Sequence, residues 1–131
     1  MNLFPITSIY AALAGLLLLT LAWRVVAVRR RERIGLGDGQ NRDLERRIRI
    51  HANAVEYVPI ALILLALAEA AGTAAPAVHA AGATLIIARV LHAVGLTQSP
   101  GHSYGRFLGV LLTWLVIAGL SLNLLLRPLL A

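Results

Sequence analysis

The residues of this 131-residue chain that could carry chemistry interrupt long apolar runs. Arg49, Asn53 and Glu56 are spaced four and three residues apart, so on a helix they share one face over about two turns. A charged side chain near the centre of a bilayer costs at least about 2.5–3.5 kcal/mol, so such residues are candidates for function. This face offers a cation, an amide and a carboxylate to a polar ligand.

Three more polar residues lie in the other apolar runs. Arg89 and His92 belong to the third run and Arg106 begins the fourth, so counting the crossings puts all three at the same depth as Arg49. These guanidinium groups outnumber the nearby acid, which points to an anionic ligand, because the planar fork of arginine binds carboxylates in bidentate fashion. An alternative is that Arg89 and Glu56 neutralise each other between helices while Arg49 and Arg106 reach the lipid headgroups.

The remaining polar residues have simpler interpretations. Glu69 is expected to reach water at the far end of its run, and His79 to be interfacial. Tyr57 is one step round the helix from Glu56, and Pro59 removes a backbone hydrogen bond and is expected to kink that helix. The four histidines and few acids lack the spacing of metal ligands, so no metal site is predicted.

The composition limits the class of protein. Hydrophobic residues make up 59% of the chain and charged residues 14%, and the mean hydropathy is +0.78. All 12 basic residues are arginine, against 6 acids, and there is no cysteine. A disordered nucleic-acid tail and a disulfide-stapled scaffold are both excluded. Lipid is therefore the expected surrounding partner, and no nucleic-acid partner is expected.

Four apolar runs of about 20 residues predict an all-α integral membrane protein, a single domain over 1–131 built as a four-transmembrane-helix bundle. Asp43 is expected to cap the second helix, and the small residues Gly105 and Gly109, like Ala11 and Gly15, to allow close helix packing. The predicted helices cover residues 3–28, 44–71, 75–96 and 105–127, with a basic loop over about 29–43.

The basic residues are concentrated between Arg29 and Arg49, a segment with eight arginines and four acids. Basic loops stay preferentially on the cytoplasmic side, so this loop is predicted to be cytoplasmic and both termini non-cytoplasmic. Most of the loop's charge is interpreted as setting this orientation. Arg49, at the loop's edge, is the exception and is assigned to the candidate site.

The run from Glu45 to Pro59 resembles the helix-two signature of the MAPEG family, the membrane-associated proteins of eicosanoid and glutathione metabolism. That signature has the form R-x-x-x-N-x-x-E-x-x-P, with Tyr often after the Glu. A second match covers residues 88–92, and the four spans and basic loop also agree, so the resemblance extends over essentially the whole chain. The residues that match the signature are Arg49, Asn53, Glu56, Tyr57 and Pro59.

The resemblance implies a four-helix protomer that assembles as a homotrimer, with glutathione as cosubstrate between subunits near the cytoplasmic face. It places Arg106 near the sulfur as the catalytic residue. A guanidinium beside a thiol, whose free pKa is about 8.5, favours the thiolate and so prepares the nucleophile. The residues predicted to bind glutathione are Arg49, Asn53, Glu56, Tyr57, Arg89, His92 and Arg30. Arg30 stands for a cation at the end of the first helix, where the resemblance leaves Arg29 and Arg30 as alternatives.

The chain also departs from the eicosanoid-forming members. Leu96 stands where they tend to have Tyr, and Phe107 follows Arg106 where a prostaglandin-forming relative has Ser. These differences point away from prostaglandin or leukotriene synthesis. The small, alanine-rich, cysteine-free chain, with arginine in place of lysine, is more similar to a bacterial member in the inner membrane that acts on a lipophilic electrophile or hydroperoxide.

The first functional hypothesis is therefore a glutathione-dependent membrane transferase or peroxidase. The alternative from another class is a small proton-coupled multidrug transporter subunit in which Glu56 changes protonation inside an apolar cavity. The nearness of Arg49 argues against it, because a cation opposes protonation of a carboxylate. A non-catalytic membrane scaffold of the same fold is the third hypothesis.

Overall fold

The computed structural model describes residues 3–99, 101 and 103–130, and its regular structure within those residues is entirely helical. All four helices are long and apolar enough to cross a membrane, which confirms the predicted all-α fold and number of spans. The ends of the predicted domain, residues 1, 2 and 131, lie outside the described residues. The helices are α1 (Pro5–Glu32), α2 (Arg42–Ala70), α3 (Ala75–Gln98) and α4 (Tyr104–Leu130).

The bundle has two different ends. Residues 71–74 form the short connection between α2 and α3, and we call this the turn end. Residues 33–41 connect α1 to α2 at the opposite end, the loop end, where α3 also finishes and α4 begins. The basic connection is shorter than predicted because α1 continues to Glu32 and α2 starts at Arg42.

The start of α1 is capped by a side chain from α2. Phe4, at the N-cap position, makes no side-chain cap hydrogen bond. Instead the carboxylate of Glu69 accepts hydrogen bonds from the backbone N–H groups of Ile6 and Thr7, each at 2.8 Å. Glu69 is half-exposed at this end, and its carboxylate has a second role that the sequence did not predict, because the free N–H groups and positive dipole end of α1 attract it.

The loop between α1 and α2 begins at the C-cap of α1 and ends at the N-cap of α2. Arg33 ends α1 in the left-handed region, at φ 57° and ψ 38°, and its N–H donates to the carbonyl of Arg29. Asn41 caps α2, its Oδ1 accepting from the N–H groups of Asp43 and Leu44 at 3.0 Å each. The prediction that Asp43 is the cap was wrong, because Asp43 already lies within the first turn of the helix.

The central pair of helices is α2 and α3. Each contacts the other and both outer helices, whereas α1 and α4 share no contact among the described residues. One buried apolar cluster, which includes Leu65, Leu85 and Leu120, fills the turn half of the bundle. A second, which includes Leu21 and Ile50, fills the loop half.

Two glycines of α4 let it approach α3 closely, as their spacing predicted. A Cβ added at Gly109 would lie 2.5 Å from the carbonyl oxygen of Ala88, and one at Gly105 would lie 3.0 Å from that of Leu91. The other predicted pair behaves differently, since a Cβ at Gly15 would meet nothing within 4 Å. The α3–α4 pair is therefore the one in which missing side chains allow backbone contact.

The outer surface is apolar along its length. Leu16 and Leu19 of α1 and Leu125 of α4 are each about two-thirds exposed, like many other large apolar side chains. A bilayer is the solvent in which such a surface is stable, because lipid tails are as apolar as leucine.

Candidate functional site

A cavity of about 480 Å³ opens at the loop end, between the beginning of α2 and the beginning of α4. Two of the residues predicted for the site, Arg49 and Arg106, lie on this one cavity although 57 positions separate them in the chain. The residues that line it are Arg42, Glu45, Arg46, Arg49, Leu96 and Arg106.

The register of α2 explains why four of its residues line the cavity. Arg42, Glu45, Arg46 and Arg49 are spaced at i, i+3, i+4 and i+7, so they share one helix face. Arg47 is one step round the helix and its Nε donates instead to Oδ2 of Asp43 at 3.0 Å. Because α2 begins at Arg42, well before its apolar run, this face extends beyond the bilayer.

The cavity carries an excess of positive charge. Four arginines and one glutamate give its lining a formal charge of +3. The ion pairs among the described residues are Arg31–Glu32 and Arg47–Asp43, so none of the four cavity arginines is in an ion pair. The side chain of Arg46 donates only to the backbone carbonyl of Arg42, at 3.3 Å. Unpaired guanidinium groups around an open space are suited to an anion.

Arg42, Glu45 and Arg46 were missed as site residues in the sequence. The composition of the loop suggested that their charges only orient the chain, and no apolar run surrounds them. Their spacing to Arg49 was the available signal, since it places all three on the helix face that Arg49 and Asn53 share. A spacing of three, four and seven residues places side chains on one face only within a helix. The structure shows that α2 has already begun at Arg42, so Arg42, Glu45 and Arg46 do share a face with Arg49.

Arg89 is not on the cavity but inside the bundle, where it is 1% exposed. Its Nη1 donates to Oδ1 of Asn53 at 2.7 Å and its Nη2 to the carbonyl oxygen of Gly109 at 3.0 Å. Its guanidinium carbon lies 5.9 Å from the ring centre of Tyr57, a cation–π distance, while its Nε has no hydrogen-bond partner among the described residues. The alternative of an ion pair between Arg89 and Glu56 is wrong within the described chain.

The other predicted site residues on α2 and α3 do not line the cavity, and those on α2 lie farther from the loop end than Arg49. Asn53 and Tyr57 are half-buried against Arg89, and His92 is buried one turn nearer the loop end. Glu56 is exposed on the outside of the chain, although its position lies within the α2 span. An uncovered carboxylate there calls for a covering partner or ligand, because lipid does not solvate it.

Arg30 lies apart from these residues in the single chain. It lines a separate cavity of about 350 Å³ together with Arg29, Arg33, Ile34 and Gly35. Arg29 is occupied there, since its Nη1 donates to the carbonyl oxygen of Gly37 at 2.8 Å. The structure therefore brings Arg49 and Arg106 together, joins Arg89 to Asn53 and Tyr57, and leaves Arg30 with neither group.

Comparison with known proteins identifies the family. The MAPEG family model matches residues 7–126 of this chain. The chain is also 40% identical over 90 residues to "Inner membrane protein YecN" from Escherichia coli strain K12 and from strain CFT073, and the match covers 69% of this chain and 69% of each relative. With four apolar helices and a match over nearly its full length, the chain is a multi-pass membrane protein that belongs to the MAPEG family.

Proposed function

We propose that the protein is a glutathione-dependent transferase or peroxidase that acts on a lipophilic substrate. The observation that carries this proposal is the cavity at the loop end, whose lining has four arginines without ion pairs and a formal charge of +3. Glutathione has two carboxylates and a thiol, so it supplies the negative groups that this lining lacks. Family membership supports the same ligand.

The residues divide into binding and catalytic roles in this proposal. Arg49 and its cavity neighbours hold the carboxylates, and Asn53, Glu56 and Tyr57 bind the polar parts of the peptide. Arg106 lies beside the sulfur and favours the thiolate without exchanging a proton itself. The thiolate then attacks an electrophilic carbon of the substrate, forming the C–S bond, and the displaced electron pair goes to a leaving group or oxygen that takes up a proton.

Assembly and orientation belong to the same proposal. Glu56 is exposed on the outside of the single chain within a membrane span, and a neighbouring subunit in a homotrimer would cover it. The same arrangement can bring Arg30 to a glutathione held between subunits, whereas His92 is buried within its own chain. We place the protein in a bacterial inner membrane, as the name of its relative YecN suggests, with the basic loop end cytoplasmic and both termini on the other side.

Glutathione binding to detergent-purified protein tests the proposal, measured as a thermal shift at millimolar glutathione. Arg46→Ala and Arg47→Ala form a matched pair, because the two residues are adjacent but only Arg46 lines the cavity. We expect stabilisation of the parent and of Arg47→Ala, and a smaller shift for Arg46→Ala and Arg49→Ala. A parent protein with no shift would exclude the proposed function.

The other two hypotheses give different results in companion measurements. A proton-coupled transporter needs Glu56 inside a cavity, and in the described chain Glu56 is exposed on the outer surface. Efflux driven by a proton gradient in vesicles, lost in Glu56→Gln, would favour transport. A non-catalytic scaffold would show neither glutathione binding nor efflux.

A further inference from the structure

Another cavity lies toward the turn end of the bundle, away from the cavity lined by Arg49 and Arg106, which we call the arginine cavity. A groove of about 410 Å³ runs along α3 and α4 in the half of the bundle nearer the turn end. Ala77 and Ala80 of α3 and Gly119 of α4 are exposed along it, and their small size leaves the space. Leu112 and Leu115 of α4 also line it. The groove is therefore apolar and open to the surrounding lipid.

The length of the groove matches one leaflet of a bilayer. On α4 its lining runs from Leu112 to Asn123, which at 1.5 Å per helical residue is roughly 16 Å. The hydrocarbon core of a bilayer is about 30 Å thick, so the groove spans about half of it. An acyl chain that lies in the groove would reach from the turn end to near the middle of the membrane.

The end of the groove at the turn end is polar and cationic. Thr73 and Asn123 line it there, and the hydroxyl of Thr73 donates to Oδ1 of Asn123 at 3.1 Å. Nη2 of Arg127 donates to Oγ1 of Thr73 at 3.1 Å, and its Nη1 to the carbonyl oxygen of Ala71. Arg127 is in no ion pair among the described residues. These bonds hold an uncompensated guanidinium at the mouth of the apolar groove.

We propose that this groove binds an anionic phospholipid, with one acyl chain between α3 and α4 and the headgroup phosphate at Arg127. The apolar channel is one leaflet deep and ends at a fixed cation, and a phospholipid has the same two parts in the same order. Lipid tails gain little from contact with apolar protein surface as such. The contact between the guanidinium and a headgroup of net negative charge therefore selects the lipid, and the shape of the groove orders its chain. The site does not depend on glutathione binding.

Native mass spectrometry of the detergent-purified chain tests this proposal. The protein is mixed with phosphatidylglycerol or with phosphatidylethanolamine of the same acyl chains, and the bound lipid per chain is counted. In Gly119→Leu a side chain is introduced on the lining of the groove, at a position where an added Cβ meets no atom within 4 Å. Gly15→Leu is the matched control, since Gly15 also has open space but lies on α1.

We expect the parent and Gly15→Leu to bind phosphatidylglycerol more than phosphatidylethanolamine. Gly119→Leu should bind several-fold less phosphatidylglycerol, at a melting temperature no lower than that of the parent. Removal of the charge in Arg127→Gln should weaken phosphatidylglycerol binding by about tenfold, and Arg127→Lys should restore most of it.

Two results would overturn the proposal. Equal binding of both lipids in all the variants would remove the phospholipid site. A change in the number of chains per particle in Gly119→Leu alone would show that a second copy of the chain, rather than lipid, occupies the groove.

Discussion

Arg89 donates through Nη1 to Oδ1 of Asn53 at 2.7 Å, and this bond determines which way round the asparagine amide lies. Arginine can only donate hydrogen bonds, so the amide oxygen must face it and the Nδ2 donor must serve another acceptor. Nη2 of Arg89 donates to the carbonyl oxygen of Gly109, so one side chain of α3 binds both α2 and α4. Arg89 therefore positions the Asn53 side chain, and in the proposed function it would act on glutathione through that side chain.

Two substitutions at Asn53 separate its bond to Arg89 from its role toward a ligand. Asn53→Asp keeps an oxygen for Arg89 but replaces the Nδ2 donor, so we expect stability to be retained and glutathione affinity to fall by about tenfold. Asn53→Ala leaves Nη1 of a buried guanidinium unpaired, so the free energy of unfolding should fall by about 1–3 kcal/mol. Denaturant titration and glutathione titration in detergent measure the two effects.

The two variants must differ in the expected direction for this assignment to stand. If Asn53→Asp binds glutathione as tightly as the parent protein, the Nδ2 group does not contact the ligand. If Asn53→Ala is as stable as the parent, Nη1 of Arg89 finds another acceptor in the variant.

The packing of α4 on α3 gives a prediction about stability alone. A methyl group at Gly109 would lie 2.5 Å from the carbonyl oxygen of Ala88, and backbone cannot move aside cheaply. Gly109→Ala should therefore lower the free energy of unfolding by about 1–3 kcal/mol. Gly119→Ala is the control, because a Cβ there meets nothing within 4 Å, and higher helix propensity should leave it up to about 1 kcal/mol more stable.

These two glycine variants are compared by unfolding in the same detergent. Equal stability of Gly109→Ala and Gly119→Ala would mean that α4 can move away from α3 without loss.

Much of the fold could be predicted from the sequence, because a membrane-spanning helix is recognised by the length and apolarity of its residues alone. The four spans, and the close approach at Gly105 and Gly109, depend on residue type and on spacing along one helix. Such features need no knowledge of which helices are neighbours. The helix face that Arg49 and Asn53 share was predictable for the same reason, since it depends only on their spacing along α2.

Features that join distant parts of the chain could not be read from spacing. Nothing local to Glu69 shows that it meets the start of α1, 62 and 63 positions away. Arg89 was placed with the ligand residues because an arginine in a membrane span suggests an anion, but its acceptors turned out to be an amide and a backbone carbonyl. The exposure of Glu56 depends on which faces of α2 the other helices cover.

The cap on α1 yields a prediction at the turn end. Glu69 accepts two backbone N–H groups of a helix that lacks its own side-chain cap, so Glu69→Ala should lower the free energy of unfolding by about 1–2 kcal/mol. Glu69→Gln keeps an acceptor oxygen but no charge, and its loss should be smaller. Glu32→Ala removes only an exposed pair with Arg31 and should change stability by less than about 1 kcal/mol.

Unfolding curves of these three variants decide the role of Glu69. A loss in Glu69→Ala no larger than that in Glu32→Ala would show that the carboxylate is dispensable at the start of α1.

The last prediction concerns the catalytic role of Arg106. Its side chain is exposed on the arginine cavity, at the end of the lining opposite the α2 residues, and it is in no ion pair among the described residues. If it lies beside the sulfur, Arg106→Ala should leave glutathione binding largely intact but raise the pKa of the bound thiol, because a cation favours the thiolate. The ultraviolet absorbance of the thiolate at neutral pH should then fall, whereas Arg49→Ala should weaken binding itself. Arg106→Lys restores the charge and should recover part of the absorbance, so an Arg106→Ala protein with unchanged absorbance at saturating glutathione would reject this role.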